Sequence, residues 1–155
     1  NGHAIGAGLC VASACDIRIA SDKAKLGFTF TRLGLHPGMG ATYFLAKVVG
    51  YPTALELMLT GRVIDALGAH KIGLVSQVVP SESILRAAET LADEICESGP
   101  QSVSQLLQSM RAGSAALEAA LEREAACQSV NYAGSEFAEG VRAAIEKRKP
   151  NFQIG

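Results

Sequence analysis

Two short segments combine residue types and spacings that suit chemistry. Gly6-Ala7-Gly8 follows a short apolar approach and opens a run of small residues, Leu9 to Cys15, that reads as a helix. The first N–H groups of such a helix lack carbonyl partners and point outward at the positive end of its dipole, a place for an anion or a developing oxyanion. Small residues at a strand-to-helix turn also serve close packing, so spacing alone leaves both roles open. Nucleotide loops are disfavoured, because no Lys-Ser/Thr follows and Cys10 to Ser13 lacks the glycine that would complete G-x-G-x-x-G. The second segment, Leu35-His36-Pro37-Gly38-Met39-Gly40, sets an imidazole beside a rigid turn. Imidazole titrates near neutrality and suits a general base, while a loop histidine equally serves surface or packing. His3 and His70 carry less signal. Cys10, His36 and Asp16 compose a Cys/His/Asp set on paper, although no spacing brings them together.

Cys10, Cys15, Cys96 and Cys127 form no C-x-x-C pair and have no histidine companions, so no metal site is read from them. They read as small buried hydrophobes of a reducing compartment, the cytoplasm or an organelle matrix.

The elements that position these residues fall into two parts. Residues 1–80 are glycine-rich and have an α/β texture. A helix over Leu9–Cys15, apolar nearly all round and so tightly packed, precedes a period-two strand at Asp16–Ala20 and a strand at Lys25–Phe28. A loop at Gly34–Gly40, helices over Ala41–Val48 and Pro52–Leu59, and a buried strand at Leu74–Val79 follow. Residues 81–155 show only helical periodicity. Ser81-Glu82-Ser83 supplies caps for a helix with Ile84, Leu85, Ala88, Leu91, Ala92 and Ile95 on one face, stopped by Gly99-Pro100. Helices are also expected over Ser102–Arg111, Ser114–Asn131 and Glu136–Arg148. Their apolar stripes must be buried against the α/β part or against another chain.

Composition excludes several classes. The chain has 155 residues, is 48% hydrophobic and 19% charged, and has a mean hydropathy of +0.21, which rules out intrinsic disorder. A formal charge of −1 implies neither a nucleic-acid surface nor a polybasic membrane anchor. Apolar runs stop well short of the roughly 18 residues that a membrane helix requires. With no Met start and no signal-type segment, the abrupt opening at Asn1-Gly2-His3 is expected to mark a fragment.

The residues also resemble a family. Asn1-Gly2-His3-Ala4-Ile5-Gly6-Ala7-Gly8 with Ala14-Cys15-Asp16-Ile17-Arg18-Ile19-Ala20 resembles a signature of the enoyl-CoA hydratase/isomerase (crotonase) superfamily. Lys25-Leu26-Gly27, Leu33 to Gly40, Leu59-Thr60-Gly61-Arg62, Ala69 with Gly73-Leu74-Val75, and Glu139-Gly140 with Glu146 to Phe152 agree in order and spacing. The resemblance covers essentially the whole chain and corresponds to the C-terminal portion of a longer family member.

The resemblance implies a crotonase-like spiral of β-β-α turns followed by a helical region that builds a trimer, often a dimer of trimers. It implies an acyl-CoA substrate and no cofactor beyond that coenzyme A. Two backbone N–H groups would hold the thioester oxygen of an enolate, and by position the Ala7 N–H is the second donor. Alanine replaces the usual glycine there, keeping the N–H. The two glutamates by which hydratases transfer protons are replaced by Cys10 and Phe30, which leaves His36 as the remaining base. Gly38 matches the loop glycine whose N–H meets the reacting water. Lys147 matches a residue that meets the CoA phosphates, with Ala144 in place of an aromatic three positions earlier. Asp16 is expected to accept hydrogen bonds at the helix-to-strand turn. The alternative is a catalytically degenerate subunit that binds acyl-CoA or assembles with active paralogues.

Overall fold

The computed structural model describes residues 1–112 and 114–152. β1 (Ala4–Ile5) leads into α1 (Ala7–Ala14), followed by β2 (Ile19–Ser21), β3 (Lys25–Gly27) and a 3₁₀ turn at Phe30–Leu33. Next come α2 (Ala41–Val49), α3 (Tyr51–Thr60), β4 (Val63–Asp65), α4 (Ala66–Lys71) and β5 (Gln77–Val79). A 3₁₀ turn at Ser81–Ser83 then introduces α5 (Ile84–Cys96), α6 (Pro100–Arg111), α7 (Ser114–Ala133) and α8 (Ser135–Ile145). Among the described residues no helix is long and apolar enough to cross a membrane.

β3 is the centre of a three-stranded sheet, parallel to β1 (Ala4 opposite Leu26) and antiparallel to β4 (Leu26 opposite Ile64). β2 and β5 form a separate parallel pair with Ala20 opposite Val78. Leu9, Phe28, Leu45 and Leu74 are fully buried, so the core lies between α1, the β3 sheet, α2 and the α4–β5 connection. Gly50, at φ 79°, ends α2 and starts α3, a backbone angle that glycine adopts without a Cβ clash. Asp65 Oδ1 accepts the Gly68 N–H at 2.8 Å and caps α4.

The helical region docks on this core at a few points. Gly140 of α8 lies against Leu33, where an added Cβ would sit 2.5 Å from the Leu33 carbonyl carbon and oxygen. Gly34, at φ 65°, meets the Glu136 backbone in the same way. Arg148 forks onto Glu139 at 2.6 and 3.0 Å, and the Asn151 N–H donates to Glu139 at 2.8 Å, closing the end of α8. α5 and α6 bury none of their residues fully.

Several expectations are corrected. α1 buries only Leu9, Cys10 and Ser13, while Val11 is 58% exposed, because this chain covers one face of the helix. Asp16 and Ile17 are exposed ahead of β2, which pairs with β5 only from Ile19. Ser81–Ser83 gives α5 no side-chain cap, since Ser81 Oγ meets Ser21 Oγ at 2.5 Å across the β2–β5 end. α5 ends before Gly99-Pro100, and Pro100 instead opens α6, where its missing N–H costs nothing. α8 stops at Ile145 because Lys147 turns left-handed at φ 54°, and the Arg148 N–H reaches back to the Ala143 carbonyl. Cys15 and Cys96 are exposed rather than buried.

Candidate active site

The turn before α1 is built by pairing. The Gly6 N–H donates to the Gly27 carbonyl at 2.8 Å, which extends the β1–β3 pairing up to the helix. Gly6 then takes φ 55° and ψ −121°, a conformation for glycine alone, and its carbonyl accepts the Leu9 and Cys10 N–H groups. The Ala7 and Gly8 N–H groups have no acceptor among the described residues. Ala7 keeps an ordinary negative φ. Apart from chain neighbours and the helix's own backbone, no atom lies within 4 Å of a Cβ built on Gly6 or Gly8. Aligned peptide dipoles give those two amides an anion-binding character.

Cys10 lies one turn further along α1 and is 1% exposed. Burial, reinforced by the nearby Glu124 carboxylate, pushes its thiol up from 9.0 to about 11. Phe30 opens the 3₁₀ turn, half-buried against the core, and its carbonyl accepts the Leu35 N–H at 3.1 Å. The His36 ring is half-buried. Its Nδ1 lies 2.6 Å from the Pro37 carbonyl, an acceptor only, so in the neutral ring Nδ1 carries the hydrogen and Nε2 the lone pair. Gly38 is buried, and its N–H has no acceptor among the described residues. Lys147 is exposed at the far end of α8.

The Cys/His/Asp set does not assemble. Between α1 and β2 the Asp16 carboxylate accepts Arg111 Nε and Nη2 from α6 at 3.2 and 2.5 Å, which lowers its pKa. His3 and His70 are also occupied: His3 Nδ1 accepts the Lys25 N–H at 3.1 Å, and His70 Nδ1 pairs with the Val75 carbonyl at 3.2 Å. Among the described residues no three His, Cys, Asp or Glu side chains converge to hold a metal ion.

Sequence reasoning missed the residues that hold the His36 loop. Glu124 of α7 is 2% exposed and accepts the Gly40 N–H at 2.7 Å, the Thr42 N–H at 2.9 Å and the Thr42 hydroxyl at 2.6 Å. Gln128 Nε2 donates to the His36 carbonyl at 2.9 Å, and Asn131 Oδ1 accepts the His36 N–H at 2.8 Å. One signal was available: Glu124 occupies the helical stripe that runs through Leu117, Ala120 and Leu121, where an acid needs buried partners.

A solved structure of a carnitinyl-CoA hydratase from Mycobacterium avium superposes with a TM-score of 0.93 at 31% identity, covering 100% of this chain and 61% of that one. A structure of an enoyl-CoA hydratase/isomerase from Pseudoalteromonas atlantica gives 0.89 at 34% identity, covering 97% of this chain and 61% of that one. The "Probable enoyl-CoA hydratase echA8" of Mycobacterium bovis is 37% identical over 152 residues, 97% of this chain and 59% of that protein. The α/β part and its appended helices thus define a crotonase-fold chain. The sequence pattern of the enoyl-CoA hydratase/isomerase family matches residues 1–154, and the chain belongs to that family. It spans about three-fifths of the length of these relatives.

Proposed function

We propose that the complete protein binds an acyl-CoA thioester and holds its carbonyl oxygen on the Ala7 N–H. The observation that carries this reading is the start of α1, where the Ala7 and Gly8 amides have no acceptor among the described residues. Addition of water to an enoyl thioester, or removal of a proton beside the carbonyl, drives negative charge onto that oxygen. A fixed N–H at a helix N-terminus stabilises the charge without reorganising. The substrate class agrees with the relatives named as enoyl-CoA hydratases, and no cofactor is needed beyond the substrate's own coenzyme A. Lys147, exposed and cationic, suits the CoA phosphates.

Proton transfer sets the limit. Cys10 and Phe30 stand where the resemblance places two glutamates. A thiol raised to about 11 is neutral at physiological pH, and a phenyl ring carries no acidic proton. The Gly38 N–H holds the reacting water, and His36 Nε2 is the base left on this chain. These replacements also favour a second reading, an acyl-CoA-binding or assembly subunit without turnover. The apolar side chains left exposed on the helical region, Leu85, Leu106, Met110 and Val130 among them, suit a trimer or hexamer. Four unbridged thiols suit the cytoplasm or an organelle matrix.

Calorimetry on the intact protein separates the readings. Tighter binding of butyryl-CoA than of free CoA is expected under both, because only the acyl form supplies the thioester oxygen. Equal affinities refute the oxyanion assignment. Hydration of crotonyl-CoA that is slow yet measurable selects the enzyme, and none at all selects the binding subunit. Rates typical of hydratases with both carboxylates refute the proton-transfer account, since each such group contributes about 10²–10⁴-fold.

A further inference from the structure

We propose that α7 latches the loop that carries Gly38, with Glu124 and Gln128 as positioning residues; this rests on the reading that the Gly38 N–H serves the reacting centre. Residues 124, 128 and 131 are spaced i, i+4 and i+7 and so share one helix face. All three grip one loop, from His36 to Thr42.

That loop needs holding. Met39 and Gly40 are successive left-handed residues at φ 59° and 74°, and for methionine this conformation is intrinsically unfavourable. Glu124 fixes one flank of Gly38 through two backbone N–H groups and a hydroxyl, at the point where α2 presents its unsatisfied first-turn amides. Bonds to a carboxylate are shorter and stronger than neutral ones. Gln128 and Asn131 fix the other flank by taking both the carbonyl and the N–H of His36. The Gln128 amide also fills the space that a Cβ on Gly38 would occupy, so this helix face and the loop glycine fit by shape as well as by bonding. With both flanks tied, the peptide plane between Pro37 and Gly38 has one orientation. Its N–H, like that of Met39, has no acceptor among the described residues and is left free for a ligand.

The test uses full-length Glu124→Gln, which turns one acceptor oxygen into a donor facing backbone N–H groups, and Gln128→Ala, which frees the other flank. Thr42→Val deletes the hydroxyl bond to Glu124 and keeps both backbone bonds, a partial loosening of the same flank. Amide hydrogen exchange over 35–42 is expected to quicken about tenfold in the first two variants, the effect of losing one well-made hydrogen bond, while exchange over 54–60 stays unchanged. On crotonyl-CoA, kcat falls by a similar factor with KM unchanged, because the thioester oxygen remains on Ala7. Thr42→Val, which loses one bond to the same carboxylate but keeps both backbone bonds, quickens exchange over 35–42 by less than Glu124→Gln. Unchanged exchange over 35–42 in both variants overturns the latch. So does quickened exchange throughout the chain, or a rise in KM with kcat intact. If Glu124→Gln fails to fold, Gln128→Ala alone decides by the same readouts. Quickened loop exchange in a protein that turns over no enoyl-CoA supports the latch and refutes the enzymatic reading, so the two failures are distinct.

Discussion

Cys10 should be the slowest thiol in this protein to alkylate. It is 1% exposed, whereas Cys15 and Cys96 are exposed and serve as internal references. Burial first, then the negative charge of Glu124, raises its pKa from 9.0 to about 11. At pH 7 about one Cys10 in 10⁴ is then thiolate, against about one in 10² for a thiol at 9.0, so ionisation alone slows reaction about 100-fold. Burial slows it further, because reagent must wait for local opening. The assay is iodoacetamide labelling of each cysteine-containing peptide, followed by mass spectrometry across a pH series. Cys10 should lag the exposed thiols at neutral pH, and its labelling should go on rising until pH reaches about 11. Glu124→Gln should bring the rise to lower pH by removing the facing charge. Equal labelling of Cys10 and Cys15 at neutral pH refutes the reasoning and makes a thiolate available on α1. The same logic orders two substitutions: His36→Ala should cost any turnover more than Cys10→Ala.

Other outcomes follow from packing and charge. Gly140→Ala gains about 1 kcal/mol of helix propensity, yet meets unyielding Leu33 backbone at a cost near the upper end of overpacking, about 3 kcal/mol; net destabilisation of about 2 kcal/mol is expected in urea unfolding. Parent-like stability would contradict the close approach of α8. The Arg148 guanidinium, with the Asn151 N–H, holds the Glu139 carboxyl at about 2, down from 4.5. A depressed folded-state pKa stabilises above the unfolded value, so this contribution is complete above pH 4.5 and drains away as pH falls toward 2. Glu139→Gln should flatten that limb of the stability curve, and an unaltered acid limb counts against the pairing. Light scattering of the intact protein should give a trimer or hexamer, and a monomer at micromolar concentration contradicts the assignment of the exposed apolar residues.

Much of this architecture is legible in the sequence because period and punctuation agree. α2 and α3 follow from apolar spacing broken by Gly50, and α6 and α7 from long helical stripes after Gly99. The short elements Val63–Asp65 and Ala66–Lys71 escape notice, since three residues of strand and six of helix carry too little periodicity. Asp65 followed by Gly68 was their one local sign. β2 and β5 begin later than expected, because the alternation of Asp16–Ala20 and the apolar run Leu74–Val79 extend into residues that the pairing leaves out, and β5 is half-buried rather than buried. The open helix start at Ala7 is readable, being a local feature of Gly6-Ala7-Gly8. The grip of Glu124, Gln128 and Asn131 on His36, Gly40 and Thr42 joins residues more than eighty positions apart. Nothing local in either segment specifies its partner.

Ala7→Pro tests the central claim most directly. Ala7 is the first residue of α1, where proline is tolerated because its missing N–H has no helical partner, and Gly6 beneath it already has the glycine-only backbone angles of the turn. The substitution therefore deletes one N–H and leaves the helix standing, which circular dichroism can verify. Calorimetry of the intact variant with butyryl-CoA and free CoA should show the preference for the acyl form falling while the affinity for free CoA stays at the parent value. A folded Ala7→Pro protein that keeps the full acyl preference contradicts the account, because the thioester oxygen would then be held elsewhere.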